Sequence, residues 1–61
     1  MMNYLIMRTD TRSALRFVAP PGSPQSYTTK GKARRYLTRE AADADRCPEN
    51  EIVVHVNAKE T

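Results

Sequence analysis

Three short runs of this 61-residue chain are rich in apolar, β-branched and aromatic side chains, and the stretches between them carry the turn and helix signals. Residues 3–9 (NYLIMRT) suit a pleated, half-buried surface, and seven residues is an ordinary strand length. Asp10, Thr11, Arg12 and Ser13 follow without Gly or Pro. Asp and Ser favour turns through side-chain bonds to nearby backbone, so a hairpin is predicted there. In residues 14–18 (ALRFV) Leu15 and Phe17 share one face and Arg16 points to the other, the alternation of a strand with one wet face that pairs antiparallel with the first. The clearest strand is 51–56 (EIVVHV), with Ile52, Val54 and Val56 on one face and Val53 and His55 on the other.

Between the second and third runs the pattern changes. Residues 19–24 (APPGSP) hold three of the four prolines, which remove backbone donors and restrict the residues before them, so a loop is predicted. A proline-rich ligand for an aromatic groove is the functional reading of that loop; a connector is the commoner use of such a stretch. Thr38 is a good N-cap, because its hydroxyl can accept from the orphan amides of a first helical turn, and Glu40 puts negative charge at the positive end of the helix dipole. A helix is therefore predicted from Arg39 to Arg46 or Cys47, ended by Pro48. Its inner face is read as Leu37, Ala41 and Ala44, flanked by Cys47, with Arg39, Asp43 and Arg46 facing away. A second reading carries the helix back through residues 33–37, against which stand the poor helix former Gly31 and the competing cap Thr38. The run between Val18 and Arg39 is long for a structureless connection, so local structure is expected at residues 27–29 or 34–37.

The order strand, strand, helix, strand gives a small two-layer α+β domain over residues 1–61: a three-stranded antiparallel sheet with one helix on one face, and a frayed tail at 57–61. A chain this short hides only about 60% of its unfolded surface, and its core supplies roughly 3–5 kcal/mol, so dimerisation or docking on a larger partner is a live alternative to a free monomer. The single cysteine, Cys47, excludes an internal disulfide and points to a reducing, cytoplasmic setting. The opening MMNYLIM is too short for a membrane span and lacks the charged start and cleavage site of a signal peptide.

Charge is laid out unevenly. Residues 1–39 carry eight Lys/Arg and one acid, residues 40–61 two Lys/Arg and six acids, so the two parts stand at +7 and −4 within a net +3. Lys30, Lys32, Arg34, Arg35 and Arg39 fall within ten residues, with Tyr27 and Tyr36 flanking or interrupting them. Those seven residues are the candidate partner-binding set. Lys and Arg neutralise phosphate and Tyr stacks on unpaired bases, which suits single-stranded nucleic acid or RNA; Arg and Tyr are equally the usual hot-spot residues on an acidic protein face. The plain alternative is a solvated loop and helix entry with one tyrosine in the core.

Other chemistry finds little footing. Cys47 and His55 are the only soft metal ligands, too few for a tetrahedral site within one chain, though a symmetric dimer has four. Nucleophilic catalysis needs a Ser or Cys beside an oriented base, and His55 is the sole histidine; Asp43, Asp45, Glu49 and Glu51 read as a solvated acidic rim; Gly22 and Gly31 stand apart, so no phosphate-cradling loop is formed. No enzyme activity, metal or cofactor is expected.

Residues 32–42 (KARRYLTREAA) place a basic pair, an aromatic, a capping threonine and then Glu and Ala opening a helix. This stretch resembles part of the RNA–DNA hybrid-binding domain attached to some ribonucleases H; the present chain has no Trp and adds the strand at 51–56. In general character, including CPENE before the last strand, the chain also resembles small bacteriophage accessory proteins of the host-takeover or anti-defence, anti-CRISPR-like kind. That second resemblance implies a cytoplasmic, non-enzymatic inhibitor that docks on a larger host or defence complex such as a CRISPR effector. A nucleic-acid-binding module and a homodimer joined at exposed strand edges are the alternatives.

Overall fold

A computed structural model of the chain describes residues 3–56 and forms a four-stranded antiparallel sheet with one helix. The strands are β1 (Tyr4–Arg8), β2 (Phe17–Val18), β3 (Tyr27–Thr28) and β4 (Glu51–His55), in the spatial order β3-β2-β1-β4, and the helix α1 (Arg39–Asp45) lies between β3 and β4 in the chain. The α+β class agrees with the sequence reading, but the sheet has four strands, not three. The added strand, β3, extends the sheet from β2, pairing Phe17 with Thr28 and Val18 with Tyr27. The tail at 57–61, expected to fray, lies outside the described residues.

β1 is an inner strand, between β2 and β4, and it is buried on both sides: Leu5 and Ile6 point to opposite faces and neither is exposed. Each face therefore has its own apolar cluster. Leu5 joins Phe17, Ala33 and Val56, with Met7 and Val54 packed against them, while Ile6 joins Tyr36 and Ala42, with Tyr4, Val18 and Val53. β4 supplies both clusters because its pairing with β1 runs unbroken from Tyr4 opposite His55 to Arg8 opposite Glu51.

The hairpin expected between β1 and β2 forms, with a shorter second strand. Arg8 N donates to the Arg16 carbonyl, but Thr11 Oγ1 accepts from Ser13 N and Ser13 Oγ from Leu15 N, so these side-chain turns hold residues 11–15 out of the ladder. Leu15 is consequently 46% exposed and does not share the buried face of Phe17. Residues 19–26 connect β2 to β3. Pro21 and Gly22 occupy the centre of a turn closed by Ser23 N on the Pro20 carbonyl, and Gly22 has φ of 87°, the positive value that a type II turn requires at that position.

The second reading of residues 33–37 as helix is corrected. Lys30–Lys32 make one 3-10 turn, Ala33 is extended at φ −68° and ψ 152°, and Tyr36 lies beside β1 in an antiparallel bridge to Tyr4 with both backbone bonds made, 3.2 and 2.8 Å. The helix then starts where its cap predicts: Thr38 is extended and its Oγ1 accepts from Ala41 N at 3.1 Å. Its inner face differs from expectation. Ala42 is fully buried, whereas Leu37 is 59% exposed and Ala41, Ala44 and Cys47 are exposed. Leu37 precedes the cap, where the chain is still extended, so helical spacing does not govern it. With only two turns, the helix is seated by Ala42, which permits close approach, and by the next residues on that face, Asp45 and Arg46, which bond to Tyr36 and to the Glu51 carbonyl.

Candidate functional site

Alternation along the extended 33–36 segment divides the basic stretch between the two faces of the sheet. Ala33 belongs to the Leu5 cluster and Tyr36 to the helix-side cluster, so Arg34 goes with Tyr36 and Arg35 with Ala33. The seven candidate residues consequently do not form one continuous patch.

On the helix side the chain satisfies its own charges. The Arg34 guanidinium lies 4.8 Å from the centre of the Tyr36 ring and 3.4 Å from Asp45 Oδ2, to which the Tyr36 hydroxyl also donates at 2.9 Å. Tyr36 is 6% exposed, a core residue whose ring is covered. Burial, with the hydrogen bond to Asp45, pushes its hydroxyl up to about 12. Arg39 lies over the Tyr4 ring at 5.5 Å, and Tyr4 in turn tilts against the His55 ring at 5.0 Å.

Tyr27 is held in a second network at the other end of the sheet. Its hydroxyl donates to Glu51 Oε2 at 2.6 Å, and the Arg8 guanidinium covers its ring at 4.6 Å while making a two-pronged pair with Asp10 at 2.8 and 2.9 Å. The bond to Glu51 raises the Tyr27 hydroxyl; the Arg8 bond holds the Asp10 carboxyl at about 2. Glu51, expected on a solvated acidic rim, is 7% exposed. Its other oxygen accepts from Cys47 N at 2.7 Å, which anchors the turn between α1 and β4. Sequence reading missed this role; the available signal was Pro48 and Asn50, which mark a turn whose free amides need an acceptor nearby.

Lys32 and Arg35 remain. Among the described residues neither has an acidic partner: the ion pairs are Arg8–Asp10, Arg34–Asp45 and Arg46–Asp43. Lys32 is exposed and Arg35 half-buried, and Lys30, in the same 3-10 turn as Lys32, has a contact of its own.

Cys47 and His55 are not brought together. Cys47 lies against Glu51 at the start of β4 and His55 at its end, four residues and about 13 Å of strand away. Among the described residues no group of three or more His, Cys, Asp and Glu is arranged to hold a metal ion, and no helix is long and apolar enough to cross a membrane.

Fold and surface together define a small α+β domain in which Tyr27 and Tyr36 are held by internal contacts and in which Lys32 and Arg35, of the basic stretch, have no acidic partner among the described residues. Comparison with protein families, with curated proteins and with solved structures finds no match to this chain.

Proposed function

We propose that this chain is a small non-enzymatic binding protein that docks on an acidic face of a larger protein assembly, with Lys32 and Arg35 as the charged contacts. The observation that carries the reading is the contrast in charge pairing within the basic stretch: Arg34 meets an acid, as Arg8 and Arg46 do elsewhere, whereas Lys32 and Arg35 have no acidic partner among the described residues. Cations left uncompensated on a chain this small favour an external acid, by steering encounter and by fixing orientation on contact. A host or defence complex of a bacterial cell as the target, and its inhibition, rest on the resemblance to phage accessory proteins. Protein is favoured over nucleic acid because Tyr27 and Tyr36, the rings that base stacking needs, are covered by Arg8 and Arg34.

The test is affinity capture from bacterial lysate, with and without nuclease, comparing the natural chain with Lys32→Glu/Arg35→Glu. Arg34 is left alone because it supports Tyr36. The expected result is a captured protein that survives nuclease and is lost in the double variant, with an unchanged circular dichroism spectrum. Capture that persists in the double variant, or that disappears with nuclease, overturns the reading; the latter outcome points to nucleic acid.

A further inference from the structure

The open edge of β4 is the strongest unassigned surface. Val56 N donates to the Asn3 carbonyl and Thr9 N to the Asn50 carbonyl, which fixes those two pairs, and every second pair between them, as the hydrogen-bonded ones of the β1–β4 ladder. The backbone groups of Ile52 and Val54 therefore point to β1, and those of Glu51, Val53 and His55 point away from the sheet. Glu51 is already served, its N–H by the Cys47 carbonyl and its carbonyl by Arg46 Nη1. The N–H and C=O of Val53 and His55 have no partner among the described residues. Nothing in β4 blunts this edge: the sequence EIVVH has no Pro, Gly or Lys, and the register has no bulge.

We propose that β4 is a dimerisation edge, on which a second copy of the chain adds its own β4 antiparallel about a two-fold axis at Val54. The register follows from which groups are free. An axis at Val54 sets Val53 opposite the second copy's His55, and His55 opposite its Val53, so four hydrogen bonds satisfy all the open groups of both chains. An axis at Val53 instead sets His55 against Glu51, whose backbone is occupied, and leaves part of the edge unpaired. The side chains agree with the first choice. Ile52, 43% exposed and among the few large apolar side chains left in water, comes opposite Val56 of the second copy, and Val54 comes opposite Val54. No two like charges face each other along residues 52–56. Beside the edge, the groove of about 500 Å³ between α1 and β4 is flanked by Arg39 and Arg46 and by Glu40 and Asp43, so the charged groups lining it sum to zero. Pairing turns two four-stranded sheets into one continuous sheet and removes the most exposed strand edge of each.

Equilibrium sedimentation tests the association and disulfide trapping tests the register. The natural chain is expected at twice its 6.9 kDa mass. His55→Pro deletes two of the four donors at an exposed position, and the dimer should weaken about tenfold or more. Ile52→Lys should weaken it as well, with both variants checked by circular dichroism. In a Cys47→Ser background, Val54→Cys should oxidise to a cross-linked dimer, because the axis brings the two positions to about 4.5 Å between Cα atoms; Ile52→Cys should not, its two copies being about 13 Å apart. A 6.9 kDa species at every concentration, a dimer indifferent to His55→Pro, or cross-linking at Ile52→Cys in preference to Val54→Cys overturns the proposal. If a substituted edge prevents folding, the trapping pair alone decides.

Discussion

Tyr36 and Tyr27 are each held by a carboxylate and an arginine, at opposite ends of one sheet, with burial reversed. In each case the hydroxyl donates to a carboxylate and the ring carries an arginine: Asp45 and Arg34 for Tyr36, Glu51 and Arg8 for Tyr27. At the first the ring is buried and the acid lies in water, Asp45 being 49% exposed in its side chain; at the second the ring is half-exposed and the acid is buried. The difference teaches which part of each network the fold depends on. Tyr36 matters as apolar volume between β1 and α1, whereas Tyr27 matters as the donor that helps a buried carboxylate hold a turn.

The largest expected effect is that of Tyr36→Ala. Truncating a buried aromatic costs about 3–5 kcal/mol, which equals the whole stability a core of this size supplies, so this variant should be unfolded at room temperature by circular dichroism. Tyr27→Ala, whose ring is half in water, should still melt cooperatively. Equal damage from the two would break the comparison. Next comes the acid. Glu51→Ala leaves Cys47 N–H and the Tyr27 hydroxyl without their acceptor and should cost about 2 kcal/mol in urea unfolding, against less than about 1 kcal/mol for Asp45→Ala, where water replaces the carboxylate. An Asp45→Ala cost as large as that of Glu51→Ala would reverse the assignment of roles.

The hydroxyl deletions sharpen the contrast on a smaller scale. Tyr27→Phe should cost about 1.5 kcal/mol, since the bond lost is to a buried carboxylate, and Tyr36→Phe about 0.5–1 kcal/mol because the ring's packing is kept. The smallest effect is a titration. Both hydroxyls are raised in the fold, Tyr36 to about 12, so their contribution is complete below the unfolded tyrosine value of about 10 and is lost as pH rises through the folded values. Phenolate absorbance should therefore show a late alkaline step coincident with loss of circular dichroism, and Tyr36→Phe should remove its last part. A step unchanged in Tyr36→Phe would assign it to another residue.

Much of the fold was legible along the chain because it depends on neighbours in sequence. Thr38 caps the helix through an amide three residues on, Pro48 ends it, Pro21 and Gly22 form a turn, and the alternation in 51–56 is that of a strand. The third strand of the order, β3, was less legible: two residues, Tyr27 and Thr28, make no pattern and become a strand only because β2 offers them an edge. The basic stretch was legible as charge, but its division between two faces was not, since Tyr36 lies next to Tyr4 only once residues 33–36 run beside β1.

By itself the sequence determined the α+β class, the position and cap of the helix, the strand content of β1 and β4, and the excess of positive charge before residue 40, all of which follow from short-range sterics, hydrogen bonding and composition. Only the tertiary structure decided that Ala42, not Leu37, meets the sheet, that Glu51 is buried, that Tyr36 is internal and that the edge of β4 is open. Those outcomes depend on contacts between residues far apart in the chain, where burial and pairing are properties of the assembled sheet and of no single segment.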